Sequence, residues 1–310
     1  METPAWEVTI HHASDATGPS NRCIQVDING GDGNDTIDGG AGNDTLNGDN
    51  GSDFLDGGLG DDTFTGGTDA SNDAMSGGFG AYSFDLVAGA DPGIDRVLYD
   101  EPGRRAGVTA TPSNPPTAND GSSEDSGATD NIGSDIESIT GTDFGDTMTG
   151  QGTFNNTFAG NGGNGGNDPL NGGPGSDFLA GGTGSDLFVG GTESDFLTYR
   201  NAGRGYDTTG GVTVTNTTAN NDGRSGENDT VSNDIETVYG SEGPDSINLS
   251  SFAPSAAGQG VSVFGFGGND TLTGTTNADY FDAGAGTSDS VFCNGGADIV
   301  LNAETKSGCP

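Results

Sequence analysis

The chain has 310 residues, 47 of them acidic against 8 basic, for a formal charge of −39, and only 29% are hydrophobic. Burying so few apolar side chains cannot offset the entropy of ordering the backbone, so folding needs a counter-charge for the carboxylates. The sign of the charge excludes nucleic acid and an anionic membrane surface as partners, and no apolar run nears the roughly 18 residues of a span, which leaves no expectation of membrane insertion.

Residues 1–29 hold the single Trp (Trp6) and two apolar alternations, WEVTI and CIQVDI, read as capping strands over the first coil. The opening METPAWEVTIHHASD contains no apolar run of signal-peptide length. His11 and His12 are adjacent and lack ligand-type neighbours at metal spacing, so they read as surface residues.

From Gly30 the chain reads in nines: GGDGNDTID, GGAGNDTLN, GDNGSDFLD, GGLGDDTFT. Each unit has Asp at place six (Asp35, Asp44, Asp53, Asp62) and a large apolar residue at place eight (Ile37, Leu46, Leu55, Phe64). A fixed period of this kind signals a solenoid. Glycine reaches positive φ without steric cost, so GGxGxD turns sharply and can aim carbonyl oxygens inward. The Asp adds a hard anionic oxygen, and calcium takes six to eight such ligands. The last three residues form a short strand whose central side chain faces the core. Two units make one turn of a parallel β-roll, or β-helix. Loop n then stacks on loop n+2, so Asp35 and Asp53 line one edge and Asp44 and Asp62 the other. The carbonyls near Gly31, Gly33, Gly40, Gly42, Gly51, Gly58 and Gly60 complete the expected ligand set.

Block 1 runs over 30–85. Its later units are irregular: 66–76 keeps Asp73 and Met75 with two extra loop residues, a bulged coil, and 77–85 has Tyr82 in place of Asp. Residues 86–140 lack the nonapeptide but have a distant copy at 199–240. GVTAT (107–111) matches GVTVT (211–215), and SDIESITG (134–141) matches NDIETVYG (233–240). Each copy reads as a side hairpin with a long polar loop, at 112–131 and 216–228, expected to be mobile.

Block 2 covers 141–198. It carries Asp146, Asp168, Asp177, Asp186 and Asp195, with loop carbonyls near Gly173, Gly175, Gly182 and Gly184. Asn156 replaces one Asp, Pro169 suggests an edge or distorted coil, and Glu193 stands where the fourth Gly belongs. Block 3 and a C-terminal cap occupy 241–310, with Asp270, Asp279, Asp289 and Asp298. Asn277 replaces a loop Gly, and Asn tolerates the left-handed region best among other residues. Cys293 and Cys309 close a short loop that suits a disulfide, two free thiols being the other reading; Cys23 is left over.

These nonapeptides resemble the hemolysin-type, or RTX-type, calcium-binding repeat of secreted bacterial proteins. The resemblance implies a β-roll that stays unfolded at low calcium and folds outside the cell or on its surface. With the usable loops pairing, about 7 calcium ions are expected. The sequence lacks HExxH, G-x-S-x-G and any nucleophile with a paired His, so a non-enzymatic structural or interaction role is expected. Two alternatives stay open: the roll portion of a larger secreted hydrolase or toxin, and an adhesive or filament-forming surface protein. Self-association or surface attachment is compatible with either.

Overall fold

A computed structural model describes residues 9–11, 25–59, 62–66, 73–76, 96–99, 106–112, 120–122, 130–133, 136–150, 155–161, 166–200, 210–215, 221–253 and 258–309. Among these, every regular element is a strand, most of three residues, as x-U-x demands. The chain divides into two compact units, Met1–Thr142 and Asp143–Pro310. Each is a stretch of parallel β-roll.

In the first unit, strands Thr9–His11, Thr36–Ala41, Phe54–Leu59, Ala74–Ser76 and Asn131–Ile132 stack in that order as one parallel sheet. Asp27–Asp32, Thr45–Asn50, Thr63–Thr65, Arg96–Leu98 and Ser138–Thr140 form the facing one. The place-eight residues fall in register: Ile37 on Leu55 on Met75 on Ile132, and Ile28 on Leu46 on Phe64 on Val97 on Ile139. All are buried, and they are the core. The roll therefore starts before the glycine motif, with Thr9–His11 on one sheet and Asp27–Asp32 on the other. Ile28 is a core residue of the first coil rather than part of a separate cap. The two extra residues at 66–76 are absorbed in the loop, since Ala74–Ser76 pairs with Phe54–Asp56 without a slip.

In the second unit, Thr147–Thr149, Pro169–Pro174, Leu187–Thr192 and Thr230–Val231 form one row. Opposite them stand Thr157–Ala159, Phe178–Ala180, Phe196–Thr198, Thr237–Tyr239, Ser262–Phe264, Tyr280–Asp282 and Ile299–Leu301. A further row holds Val212–Val214, Ser246–Asn248, Thr271–Thr273, Ser290–Phe292 and Thr305–Ser307. Pro169 does not mark an edge. It is the first residue of a strand paired on both sides, and Leu170 keeps register with Met148 and Phe188. At that position neighbouring strands spend one N–H on the previous coil, as Leu187 does on the Asp168 carbonyl (3.0 Å). Proline forgoes that single bond and leaves the rest of the ladder intact.

Each copy of the long repeat holds a short antiparallel pair among the described residues. Val108–Ala110 pairs antiparallel with Gly121–Ser122, and Val212–Val214 with Gly223–Arg224. The polar loop at 221–228 is tied down where it is described: Asp222 bridges Asp229, and the Glu227 N–H donates to the Arg224 carbonyl at 3.0 Å. The expectation of mobility fails there because that backbone is hydrogen-bonded. Residues 113–119, 123–129 and 216–220 lie outside the described residues, as do Trp6, His12, Cys23, Gly60 and the 77–85 unit.

Cys293 and Cys309 are bonded, with Cα atoms 5.0 Å apart. The bond ties the exposed last strand, Thr305–Ser307, to the coil beneath it. In the chain-entropy estimate a 16-residue separation corresponds to about 3 kcal/mol. Cys309→Ser is expected to lower the stability of the C-terminal coils by about that amount, read as faster amide exchange at 290–307; unchanged exchange would show the cap is not held by the disulfide.

Candidate metal centre

The place-six carboxylates turn inward at the entrance to each strand and are buried. Their two oxygens do different work. Oδ1 accepts the backbone N–H of the equivalent residue one coil earlier. On one edge of the first unit the Asp35 N–H donates to Asp53 (2.8 Å), Asp53 to Asp73 (2.9 Å) and Asp73 to Asp130 (3.2 Å). On the other, Val26 donates to Asp44 (2.8 Å) and Asp44 to Asp62 (2.7 Å). The sequence assignment of these aspartates to alternate edges is what the ladders display.

The second unit repeats the device. Asp146, Asp168 and Asp186 donate in turn to Asp168, Asp186 and Asp229. Asn156, Asp177 and Asp195 donate to Asp177, Asp195 and Glu236. Further along, Asp245, Asp270 and Asp289 donate to Asp270, Asp289 and Glu304, while Asp279 donates to Asp298. Each ladder bond satisfies a buried N–H that the strands themselves leave over.

The second oxygen is the informative one. Oδ2 of Asp168, Asp177, Asp186, Asp195, Asp270, Asp289 and Asp298 is buried and accepts no hydrogen bond. A buried carboxylate oxygen without a donor is costly unless something positive faces it. Burial, and then the charge of Asp186, pushes the Asp168 carboxyl up to about 9. Burial likewise raises Asp186, Asp195 and Asp270 to about 7. The Oδ2 of Asp177, Asp186, Asp195 and Asp270 sits over the first glycine of its own repeat: a Cβ there would lie 2.2 Å from Asp177 Oδ2 at Gly172 and 2.1 Å from Asp186 Oδ2 at Gly181. Only glycine leaves room for it.

The second and fourth places turn left-handed, with φ 91° at Gly173, 127° at Gly175, 99° at Gly182 and 148° at Gly184. Carbonyl oxygens crowd the stack between loops: a Cβ at Gly184 would be 1.5 Å from the Gly166 oxygen, and one at Gly191 would be 1.8 Å from that of Gly173. Glu193 keeps this path despite its side chain. Its φ is 78°, and its carboxylate accepts the Gly175 N–H at 3.0 Å and the Thr192 hydroxyl at 2.7 Å. Asn277 does not keep it, for reasons given below.

Among the described residues no three His, Cys, Asp or Glu side chains converge on one point. A metal here would have to be held by single carboxylates completed by backbone carbonyls, an all-oxygen set that fits calcium and not zinc. Sequence reading missed Asp130, Asp229, Asp245, Glu236 and Glu304 as ladder members. The signal was present: Asp130, Asp229, Asp245 and Glu236 each stand two residues before a buried core residue, Ile132, Val231, Ile247 and Val238, as in the nonapeptide.

Against models of protein families, the RTX calcium-binding nonapeptide repeat matches four times, at residues 29–64, 48–83, 162–197 and 264–300. The chain carries RTX-type calcium-binding nonapeptide repeats. A comparison with curated proteins found no match. The RTX matches cover the coils with unpartnered Oδ2 atoms at Asp168 to Asp195 and Asp270 to Asp298, and leave the two side hairpins outside.

A pH dependence follows for these RTX repeats. Aspartates that titrate near 3.8 in the open chain are pushed by burial up to about 7 to 9 in the calcium-free roll. The folded chain therefore binds more protons than the unfolded one. The stability of the calcium-free fold is greatest in acid and falls as pH rises from about 4 through 7 to 9. Calcium needs the ionised form, so its affinity runs the other way. Half-saturation at pH 6 is expected to need about tenfold more calcium than at pH 8; a calorimetric midpoint that does not move would contradict the buried-carboxylate account.

Proposed function

We propose that the protein is a secreted or surface-held β-roll without enzymatic activity, whose coils order as calcium binds and serve a structural or interaction role. The ligands are Asp35, Asp44, Asp53, Asp62, Asp73, Asp168, Asp177, Asp186, Asp195, Asp270, Asp289 and Asp298, with the loop carbonyls around them. One observation carries the reading: a file of buried carboxylate oxygens that accept no hydrogen bond, in coils whose other carboxylate oxygen is fixed by the backbone. Without a cation this arrangement is unfavourable. With calcium in the coils, part of the charge of −39 is offset and the stack closes. Extracellular calcium modules bind at about 10⁻⁴ to 10⁻³ M, so such coils fill outside a cell and stay empty within it. Equilibrium dialysis of chelator-stripped protein against calcium, with the metal counted by atomic emission, is expected to show several ions per chain and few or none with magnesium. A count of zero would overturn the proposal.

A further inference from the structure

Two coils of the second unit handle their aspartate differently. Asp245 Oδ1 accepts the Val212 N–H at 2.9 Å, as in any ladder, but also the Ser241 hydroxyl at 2.6 Å, and its Oδ2 accepts the Ser241 N–H at 2.8 Å. Asp279 repeats the pattern. Its Oδ1 takes the Val261 N–H at 2.9 Å and the Thr275 hydroxyl at 2.8 Å, and its Oδ2 takes the Thr275 N–H at 2.7 Å. The oxygen left without a donor in Asp168, Asp177, Asp186, Asp195, Asp270, Asp289 and Asp298 is here satisfied by the chain itself.

The cause is one residue. In these coils place two is Ser241 or Thr275, in the pattern G-[ST]-x-x-x-D. In the coils of Asp177, Asp186 and Asp195 it is Gly173, Gly182 or Gly191, with φ of 91°, 99° and 117°. Phe266 stands there before Asp270 and is still left-handed, at 68°. Ser241 and Thr275 are not among the positive-φ residues, and neither are Gly243 and Asn277 at place four. The hydroxyl holds this second path: it accepts the N–H two residues on, from Gly243 at 3.1 Å or Asn277 at 2.9 Å, while donating to the aspartate. This local turn is one that Ser and Thr side chains favour. It explains why Asn277 does not adopt the left-handed conformation expected of it.

We propose that the residue at place two decides whether a coil takes calcium. A left-handed residue leaves Oδ2 open for the ion. Serine or threonine closes the coil with its own hydroxyl and N–H, making a rung that needs no metal. Asp245 and Asp279 are thus calcium-independent rungs set among calcium coils. Asp279 leaves the ligand set assigned from sequence, and so does Asp146, which follows Thr142 in the same G-[ST]-x-x-x-D pattern without a left-handed residue at place two or four. The side hairpin makes a related exchange: Asp229 Oδ2, at the end of the Asp146–Asp168–Asp186 ladder, accepts the Tyr199 hydroxyl at 3.2 Å. The inference rests on the calcium reading of the open coils.

The test counts ions in the full chain. Ser241→Gly and Thr275→Gly, at saturating calcium, are each expected to add one bound ion to the wild-type number, and the double variant two. Gly182→Ser is the converse and is expected to remove at least one. Amide exchange at 241–247 in saturating magnesium and chelator, faster in Ser241→Gly than in wild type, reports loss of the closed rung independently of the ion count. A wild-type chain that binds calcium while the glycine variants bind the same number would overturn the inference alone. A wild-type chain that binds none would overturn the calcium reading beneath it. Should Gly182→Ser fail to fold, the glycine variants, which remove side chains, still decide.

Discussion

Gly184→Ala is expected to collapse the coil around Asp186. An added methyl would stand 1.5 Å from the Gly166 carbonyl oxygen and 2.7 Å from its carbon, atoms of backbone that cannot swing aside. The residue also has φ 148°, where an L side chain is strained whatever the room. Clash and strain together place the cost at about 4 kcal/mol or more, the range reserved for disrupted backbone or buried networks. The calcium-loaded melting temperature should fall by roughly 10 °C. Gly226 is the matched control, since its φ is 98° but nothing lies within 4 Å of an added Cβ. Gly226→Ala should cost only about 1 to 2 kcal/mol for the left-handed backbone. Equal losses in the two variants would mean that the close stacking of loop on loop is not what holds the coils together.

Asp177→Ala has the next largest expected effect, because that side chain does two jobs. Its Oδ1 accepts both the Asn156 N–H at 2.6 Å and the Asn156 Nδ2 at 3.0 Å, and its Oδ2 faces the loop without a donor. Alanine leaves two buried donors of Asn156 without that acceptor, at about 1 to 3 kcal/mol, and removes a calcium ligand as well. Asp177→Asn retains an oxygen for the ladder but loses the charge. Both variants should raise the calcium midpoint. In saturating calcium the alanine form should melt below the asparagine form by the ladder's share. If the two melt alike, the ladder bond contributes nothing, and if neither moves the midpoint, Asp177 is not a ligand.

The regular coils were legible because the nonapeptide fixes both an acid at place six and a core residue two places later, and the spacing alone sets which loops stack. Asp35, Asp44, Asp53 and Asp62 fell on the edges that counting in nines requires. Legibility ended where loop length varied. The partner of Asp186 is Asp229, 43 residues on, and that of Asp195 is Glu236, 41 residues on. A ladder needs only an acceptor oxygen two residues before the middle of the next strand, and the D-I-E-[ST]-[IV] segment supplies it from glutamate. Pattern reading tuned to glycine and aspartate passed over it. Pro169 misled for the opposite reason: a local rule about strand interiors was applied to a strand's first residue. Ser241 and Thr275 looked like decay of the motif, and their role emerged only from which atoms each carboxylate oxygen meets.

The most direct test of the central claim is a far-UV circular dichroism titration of the chelator-stripped chain with calcium, with magnesium as the control. The account predicts a cooperative passage from largely unordered to β-structure with calcium, little response to magnesium, and a midpoint that falls as pH rises from 6 to 8. A chain fully β-structured in chelator and indifferent to calcium would contradict it, because its buried Oδ2 atoms would then be tolerated without the cation that the account requires.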